Sequence, residues 1–467
     1  MFNYTATYTD LYQLTMAQAY FFHGQKDNIA VFDYFFRKLP FEGGYAIFAG
    51  LEDILDILQD FRFDRDDLDF LREKGFRPEF LKFLEHFRFT GTIWSSSEGD
   101  VVFPVRPVLQ VEAKIIEAQI VETIILNILN FQTLIATKAS RMRLAAGENT
   151  LIDFGLRRAQ GPGGYYASRA CFVGGFNATS NVVAGRDYGI PVSGTMAHSY
   201  IESFDDELKA FSHFAEGQPE GCVLLVDTYD TLNSGLPNAI LTAKMMEEKG
   251  HRLFGIRLDS GDLAYLSKQC RVILDRAGLN YVKIAASNQL DEHIIKSLLE
   301  QQAPIDVFGV GTSLVTGAPD AALDGVYKLA FSGGKPRIKI SENVKKITLP
   351  HRKQVFRVLD DDGRFAGADA VTINTEQDVD IMYHPLFPDK SLAIAGKRKE
   401  PLRHKIMEGG RRLSPPTSLN EIARYSTERL KLLPEEYKRF NYPHVYKVGI
   451  SGLLRNERDR LISEKGG

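Results

Sequence analysis

The region from residue 222 to residue 312 contains four short apolar runs, CVLLVDT (222–228), LFGIRLDSGD (253–262), VKIAASN (282–288) and IDVFGVGT (305–312). Two similar runs precede them, LIDFG (151–155) and GIPVSGT (189–195). The stretches between the runs, such as NAILTAKMMEEKG (238–250), have the composition of helices. Strands and helices that alternate in this way predict a parallel sheet, and we expect it to close into an irregular α/β barrel.

The regions on either side of these runs differ from them. Residues 1–145 indicate a mixed α/β region, with a helix over 8–22, strands over 31–36 and 91–111, and a long buried helix over 112–147. Residues 146–335 are assigned to the barrel. Residues 336–467 should return to the N-terminal region to form a second mixed α/β domain, with a basic surface excursion over 396–416 and a helical tail.

The composition argues against several classes of protein. A net charge of −3 over 467 residues gives no electrostatic footprint for nucleic acid or a membrane surface. Three scattered cysteines suit a reducing compartment, and the N-terminus has no signal-peptide pattern. With no HExxH or CxxC motif, no dedicated transition-metal site is expected. We therefore expect a soluble, cytoplasmic protein.

Polar residues and glycines close the apolar runs or follow them. They are Arg157, Arg158, His198, Asp227, Asp230, Arg257, Asp259, Asp262, Gly309, Gly311 and Thr312. Barrel enzymes place their chemistry at the carboxyl ends of the strands, so these residues should line one polar mouth.

Each candidate also has a simpler interpretation. The glycines of VFGVGTSL could admit a phosphate or could only form a tight turn. Arg157 and Arg257 could bind anionic substrates or lie at the surface. Asp259 and Asp262 could contact ribose hydroxyls or magnesium, or could cap a helix. His198 could be a base, a ligand or a nucleophile, although a single histidine is more often structural.

The order of these segments resembles the nicotinate phosphoribosyltransferase family. The matching segments are TDLYQLTM, FGLRRAQGP, FVGGFNATSNV, YGIPVSGTMAHS, VDTYDT, IRLDSGD, ASNQLDE, FGVGTSL, VYKL and PHVYKV, which span residues 9 to about 448. The resemblance implies a type II phosphoribosyltransferase fold, a lopsided α/β barrel joined to a second domain. It also implies a homodimer whose active sites are shared between subunits.

The resemblance implies a role for each substrate-binding residue. Tyr12 of the partner subunit and Phe154 would stack on the pyridine ring. Arg157 and Arg257 would face the nicotinate carboxylate and the phosphates of phosphoribosyl pyrophosphate, and Asp259 the ribose. The 5-phosphate would lie against a set at the last strand, Gly309, Gly311 and Thr312.

The family also implies coupling to ATP. His198 matches the histidine that relatives phosphorylate with ATP, and Asp227 matches the carboxylate that orients the ring. ATP is then a co-substrate, Mg²⁺ enters with the phosphates, and the reaction is the first step of NAD salvage from nicotinate.

Residues 178–180 bear on the choice between acid and amide. The resemblance implies that Thr179 and Ser180 bind the substrate. Nicotinamide phosphoribosyltransferases carry an aspartate in a GTD segment, whereas Ala178, Thr179 and Ser180 stand here. A carboxylate at this position would repel the carboxylate of nicotinate, so Ser180 favours nicotinate. Ala178 is a departure, since many relatives have glycine there.

Three other interpretations compete. Nicotinamide phosphoribosyltransferase is disfavoured by Ser180, and quinolinate phosphoribosyltransferase by the chain length and the His198 motif. A catalytically silent barrel that only binds ligands would have no need of so many polar strand ends.

Three cations in the C-terminal part of the chain have no assigned role. Lys328, Arg352 and Lys353 could reach phosphate or could equally be solvated.

Overall fold

The computed structural model of the chain describes residues 4–343, 346–387 and 389–465. The chain folds as two compact units. The first comprises Met1–Thr137 and Ala322–Gly467, and the second comprises Lys138–Ala321. The division falls inside one long helix, so the second unit is an insertion between the two halves of the first.

The second unit alternates strands with helices. Its elements follow in chain order, numbered with those of the whole chain: β6 Thr150–Asp153, α7 Gly163–Val173, β7 Ala178–Thr179, α8 Val182–Tyr188, α9 His198–Glu202, α10 Glu207–Gly217, β8 Val223–Leu225, α11 Leu236–Glu248, β9 Gly255–Leu258, α12 Leu263–Arg276, β10 Lys283–Ser287, α13 Glu292–Glu300, β11 Val307–Val310 and α14 Thr312–Val315. The strands form one sheet in the order β7-β6-β11-β10-β9-β8, and every pairing in it is parallel. The predicted parallel sheet is confirmed.

This sheet is open among the described residues, because β7 and β8 lie at its two ends. The predicted closure into a barrel is therefore not confirmed. The strand predicted over 189–195 is also wrong. Residues 189–195 contribute only one parallel bridge, between Val192 and Thr179. The strand at this end of the sheet is β7, which precedes them in the chain. Pro191 has no N–H to give to a ladder, which limits the pairing of this segment.

The first unit contains the remaining elements. Its N-terminal half has α1 Leu11–Phe22, β1 Ile29–Phe36, β2 Ala46–Ile47, α2 Leu51–Gln59, α3 Arg65–Glu73, α4 Pro78–Glu85, β3 Thr92–Ser95, β4 Val101–Val102, β5 Leu109–Lys114, α5 Ile115–Ile120 and α6 Glu122–Ala146, which crosses the division. Its C-terminal half has β12 Gly325–Ser332, β13 Lys335–Pro336, β14 Lys353–Leu359, β15 Phe365–Ile373, β16 Ile381–Tyr383, β17 Ser391–Ala393, β18 Arg398–Pro401, β19 His404–Glu408, β20 Arg411–Arg412, α15 Leu419–Leu432, α16 Glu435–Lys438, β21 Lys447–Ser451 and α17 Gly452–Lys465.

Both halves contribute to one antiparallel sheet, in the order β13-β12-β1-β5-β3-β19-β20. A second, mixed sheet belongs to the C-terminal half, in the order β17-β16-β21-β15-β14-β18. The basic stretch 396–416 is therefore not a surface excursion. It forms β18, β19 and β20, and β19 pairs with β3 through Met407 and Ile93.

The helix predicted over 112–147 begins later than expected. Residues up to Lys114 belong to β5, and two helices, α5 and α6, follow. Ile115–Ala146 is long and apolar enough to span a membrane by length and composition alone, but 72% of its apolar window is buried inside the protein. The run therefore has the burial expected of a core helix.

Ion pairs in the first unit involve the three cations proposed as phosphate ligands. Lys353 is buried and lies 2.7 Å from Asp33. Arg352 donates two hydrogen bonds to Glu112, at 2.8 and 2.6 Å. Lys328 lies 4.0 Å from Glu122. Lys353 is thus a buried cation with a structural role, and it is neither a phosphate ligand nor a solvated side chain.

Candidate functional site

A cavity of about 710 Å³ opens at the carboxyl ends of the parallel strands in the second unit. It is lined by Phe154, Leu156, Arg157, Arg158, Ser180, Gly194, Thr195, Met196, Ala197, His198, Ser199, Arg257, Asp259, Ser287, Asn288, Gln289, Gly309, Gly311 and Thr312. The cavity brings together residues from the ends of most strands in the sheet. This is the polar mouth that the positions of the polar residues in the sequence suggested.

The aromatic wall of the cavity is Phe154, the first residue after β6. Its backbone N–H donates to the carbonyl of Val310 at 2.8 Å, which continues the β6–β11 pairing. A Cβ at Gly309 would lie 2.4 Å from two carbons of the Phe154 ring. The ring therefore fills the space above Gly309, and glycine is required there by aromatic packing. Gly311 is less crowded, with 3.5 Å between such a Cβ and the Phe154 carbonyl oxygen.

Ser180 and Thr179 face different surroundings. Ser180 lines the cavity, and its N–H donates to the carbonyl of Asp153 at 2.8 Å. Thr179 is fully buried and donates its hydroxyl to the Asp153 carboxylate at 2.7 Å. The family resemblance assigns both Thr179 and Ser180 to the substrate, but only Ser180 is among the residues that line the cavity.

Asp153 is a buried acid that the sequence analysis did not single out. Burial raises the pKa of its carboxyl, although hydrogen bonds from Gly155, Thr179 and Ser168 act in the opposite direction. The sequence contains one indication of this buried acid, a charged residue inside the apolar run LIDFG.

His198 is the first residue of α9 and lies beside the end of β8. Its Nδ1 is 3.0 Å from Oγ1 of Thr228. Its Nε2 is 4.0 Å from Asp227 and 3.8 Å from Asp259. The side chain is 37% exposed, so an incoming group can reach the ring.

Asp227 lies behind the imidazole, with a side chain that is only 2% exposed. Its Oδ2 accepts from the N–H of Asp259 at 2.8 Å and from the Ser260 hydroxyl at 2.6 Å. Oδ1 is buried without a hydrogen-bond partner among the described residues. This free oxygen is the one nearest to His198, and it can stabilise a positive charge on the ring.

Arg257, at the third position of β9, is the most buried cation of the cavity. Burial lowers the pKa of its guanidinium, while the carboxylates of Asp259 and Asp227 act in the opposite direction. One guanidinium nitrogen donates to the Thr195 hydroxyl, and Nε is buried without a partner in the described part of the chain. A bound anion would satisfy such a group.

Two further arginines and one carboxylate complete the charges on the lining. Arg157 and Arg158 lie in the 3₁₀ turn Leu156–Arg158. Asp259 accepts a hydrogen bond from the hydroxyl of Ser287. Three guanidinium groups and one lining carboxylate make the cavity a site for anions.

Asn288 and Gln289 form part of the lining that the sequence analysis did not assign to any role. Both are non-glycine residues with left-handed backbone, at φ 77° and 47°. Consecutive residues of this kind are uncommon outside tight turns and functional loops. The end of the run VKIAASN was the signal available in the sequence.

Other candidate residues are not among those that line the cavity. Asp262 caps α12 by accepting from the N–H of Tyr265 at 3.0 Å, and Asp230 caps the π-helical turn at 231–235. Tyr12 belongs to α1 of the first unit, where the residue is 49% exposed and its hydroxyl accepts from Gln13 at 2.9 Å. Within the described ranges, no group of three or more His, Cys, Asp or Glu side chains is arranged to hold a metal ion.

Models of the nicotinate phosphoribosyltransferase family match the chain in three parts. The N-terminal domain matches residues 7–130, the central family model 150–364, and the C-terminal domain 352–458. Nicotinate phosphoribosyltransferase of Bacillus subtilis is 44% identical, with 98% of this chain and 95% of the relative aligned. The Caenorhabditis elegans enzyme of the same name is 36% identical, with 96% and 91% aligned.

Solved structures give the same result. The crystal structure of human nicotinic acid phosphoribosyltransferase matches with a TM-score of 0.87 and 32% identity, over 97% of this chain and 99% of that one. A nicotinate-nucleotide pyrophosphorylase from Pyrococcus furiosus matches with a TM-score of 0.72 and 25% identity, over 91% and 95%. With sequence, fold and domain models in agreement over nearly the full length, the chain belongs to the nicotinate phosphoribosyltransferase family.

Proposed function

We propose that the protein makes nicotinate mononucleotide and pyrophosphate from nicotinate and phosphoribosyl pyrophosphate, coupled to the hydrolysis of ATP through a phosphorylated His198. This is the first step of NAD salvage from nicotinate. The observation that carries the proposal is the cavity itself, where an aromatic ring, three arginines and a partly exposed histidine meet.

The pyridine ring is proposed to lie on Phe154, beside Ser180. Stacking on an aromatic face suits an electron-poor ring, and Tyr12 of a second subunit would cover its other face. Arg257 would pair with the nicotinate carboxylate, because its buried Nε has no partner among the described residues. This arrangement implies a homodimer with shared active sites.

The second substrate is proposed to lie against the remaining charges. Asp259 would accept hydrogen bonds from the ribose hydroxyls. Arg157, with Gly311 and Thr312, would contact the 5-phosphate at the end of β11. Mg²⁺ would enter bound to the diphosphate oxygens of the substrates, since the described residues provide no cage of their own for it.

The chemical step is a displacement at the anomeric carbon. The pyridine nitrogen supplies the electron pair for the new C–N bond, and the C–O bond to pyrophosphate breaks. Pyrophosphate leaves as an anion, so no proton has to be moved by the protein. Arginines that hold both ends of the substrates therefore contribute through orientation and charge.

Phosphorylation of His198 would supply the coupling. A ring nitrogen attacks the γ-phosphorus of ATP, the N–P bond forms, and ADP leaves. Water later breaks that N–P bond and releases phosphate. Asp227 would stabilise the charged ring through its free oxygen, 4.0 Å from Nε2. The phosphorylated form drives synthesis only if it binds phosphoribosyl pyrophosphate more tightly than the free form.

We propose that the parallel sheet forms the wall of a lopsided barrel. The bridge between Thr179 and Val192 extends the sheet beyond β7, and the chain then runs on to His198, which contacts Thr228 just after β8. Residues 192–198 thus connect the two open ends of the sheet. We also propose a cytoplasmic location, on the basis of the cysteine usage.

The proposal is tested by pyrophosphate release from purified protein with phosphoribosyl pyrophosphate and magnesium. Nicotinate, nicotinamide and quinolinate are compared with and without ATP, for the wild type and His198→Ala. We expect turnover on nicotinate alone, stimulated by ATP only in the wild type. Turnover on nicotinamide or quinolinate would reassign the substrate, and no turnover on any base would favour a silent barrel.

A further inference from the structure

The carboxylate of Asp153 joins three elements behind the cavity. Its Oδ1 accepts from the N–H of Gly155 at 2.8 Å. Its Oδ2 accepts from the hydroxyl of Ser168 on α7 at 2.8 Å and from that of Thr179 on β7 at 2.7 Å. The side chain is fully buried, and burial raises the pKa of its carboxyl. A buried acid held by neutral donors is costly for a fold, so its presence calls for a role.

The strand register relates this carboxylate to the cavity. Asp153 of β6 pairs with Thr179 of β7, so the residues that follow the two strands, Phe154 and Ser180, are neighbours. Successive side chains of a strand point to opposite faces of the sheet. Asp153 and Thr179 thus meet on the helix side, while Phe154 and Ser180 both line the cavity.

β7 is a short strand of two residues, Ala178 and Thr179. Both pair with β6, and Thr179 also forms one bridge to Val192 on its other side. The hydroxyl of Thr179 also accepts from the N–H of Asn181 at 3.1 Å. Thr179 and Asn181, which flank Ser180, are therefore both connected to the Asp153 carboxylate through the Thr179 hydroxyl.

Asn181 adds a second connection to the helix side. Its side-chain amide lies 3.2 Å from the hydroxyl of Ser168 and 3.3 Å from the carbonyl of Gly164. Its Oδ1 caps α8 by accepting from Ala184 at 3.3 Å. The network thus fixes where β7 ends and where α8 begins, with Ser180 between them.

We propose that Asp153 is a positioning residue for the pyridine base. By holding Thr179, it sets the place of Ser180 relative to the ring of Phe154, and so sets the affinity for nicotinate. The inference rests on the proposed binding of the base beside Phe154 and Ser180. Asp153 itself touches neither the base nor phosphoribosyl pyrophosphate.

The test compares Asp153→Asn, Thr179→Val and Thr179→Ser in the full-length protein. The first two remove the charged acceptor or the donor hydroxyl, whereas T179S keeps the hydroxyl. We expect D153N and T179V to raise KM for nicotinate by about tenfold or more, since small displacements in a substrate slot are costly. KM for phosphoribosyl pyrophosphate and kcat should change by less than about threefold, and T179S should behave as the wild type.

Glu207→Gln is the matched control for a purely structural role. Glu207 is also a buried carboxylate in the second unit that accepts from neutral donors, Ser234 and Asn238, the latter at 2.8 Å. It does not line the cavity. E207Q should lower the thermal midpoint without raising KM for nicotinate.

The outcomes separate the two proposals. If D153N and T179V lower the thermal midpoint as E207Q does but leave KM for nicotinate unchanged, the positioning role is overturned. If D153N does not fold, the T179V and T179S pair decides, because neither change removes a charge. A wild-type protein that turns over no nicotinate overturns the proposed function instead.

Discussion

The ring of Phe154 occupies the space that a side chain on Gly309 would need. A Cβ at residue 309 would lie 2.4 Å from two ring carbons, much closer than carbon atoms approach in proteins. Phe154 directly follows β6, and Gly309 is the third residue of the neighbouring strand β11, where it pairs with Ile152. The contact couples the aromatic wall of the cavity to the strand end that the sequence analysis assigned to phosphate.

Gly309→Ala should therefore displace the Phe154 ring. We expect KM for nicotinate to rise by about tenfold or more, while the fold is retained, because the crowded group is a side chain at the cavity wall. Steady-state kinetics with nicotinate varied measure the effect. Gly217→Ala is the control, since a Cβ there has open space. A G309A enzyme with unchanged KM for nicotinate would contradict the assignment of Phe154 to the base.

The hydroxyl of Thr228 should hold the imidazole of His198 for phosphorylation. Thr228→Val removes the group 3.0 Å from Nδ1 without changing the side-chain shape. We expect ATP stimulation to fall by about tenfold, with turnover in the absence of ATP retained, because only ring orientation is lost. Acid-labile phosphate on the protein gives a direct measurement.

Thr242→Val serves as the control for that experiment. Its hydroxyl is buried but donates to the carbonyl of Asn238 in its own helix, at 2.9 Å. Equal phosphorylation in T228V and T242V would show that Thr228 has no part in presenting the histidine.

Ser180→Asp tests the discrimination between acid and amide. An added carboxylate beside the nicotinate carboxylate should cost on the order of 2 kcal/mol, which corresponds to roughly a 30-fold rise in KM. Nicotinamide carries no charge, so its KM should change far less. Ser180→Ala is the control for loss of the hydroxyl alone. An S180D enzyme that keeps its affinity for nicotinate would place the substrate carboxylate elsewhere.

The sequence was sufficient for the parallel sheet and for most of the cavity. Apolar runs that end on polar residues mark buried strands and their carboxyl ends, so His198, Arg257 and Asp259 could be grouped from the order of residues alone. The two-residue strand β7 could not be located, because a strand that short has no periodicity. Its motif was known only from the family resemblance.

Contacts between distant parts of the chain could not be predicted in the same way. Arg357 donates to Asp100, 257 residues away in sequence, and Lys353 is paired with Asp33. A cation in a strand has no local sign of such a partner, so Lys353 could be interpreted as phosphate-binding or solvated. Residues 396–416 were predicted to be a surface excursion. This was wrong because the strands there are short and polar, and several of their positions are exposed.

The buried carboxylate of Asp100 gives the last prediction, which concerns stability. Its Oδ1 accepts from Arg357 at 3.0 Å and from Arg429 at 2.8 Å, and its side chain is 2% exposed. Asp100→Asn removes one negative charge from a buried set. Arg357 then keeps the carboxylate of Asp369, and Arg429 keeps that of Glu400. We expect a loss of about 3 kcal/mol in the free energy of unfolding, measured with urea at neutral pH. Glu428→Gln at an exposed pair should cause little change.

The same carboxylate should make stability depend on acid. Burial alone would raise the pKa of Asp100, but the guanidinium groups of Arg357 and Arg429 outweigh it and leave the pKa below its ordinary value of 3.8. A lowered carboxyl pKa stabilises the folded state fully above that value, and the contribution is lost as the pH falls below it. The difference in unfolding free energy between the wild type and D100N should therefore narrow as the pH falls from about 4 to about 2. A difference that stays constant over this range would mean that Asp100 is not held as an ion by these arginines.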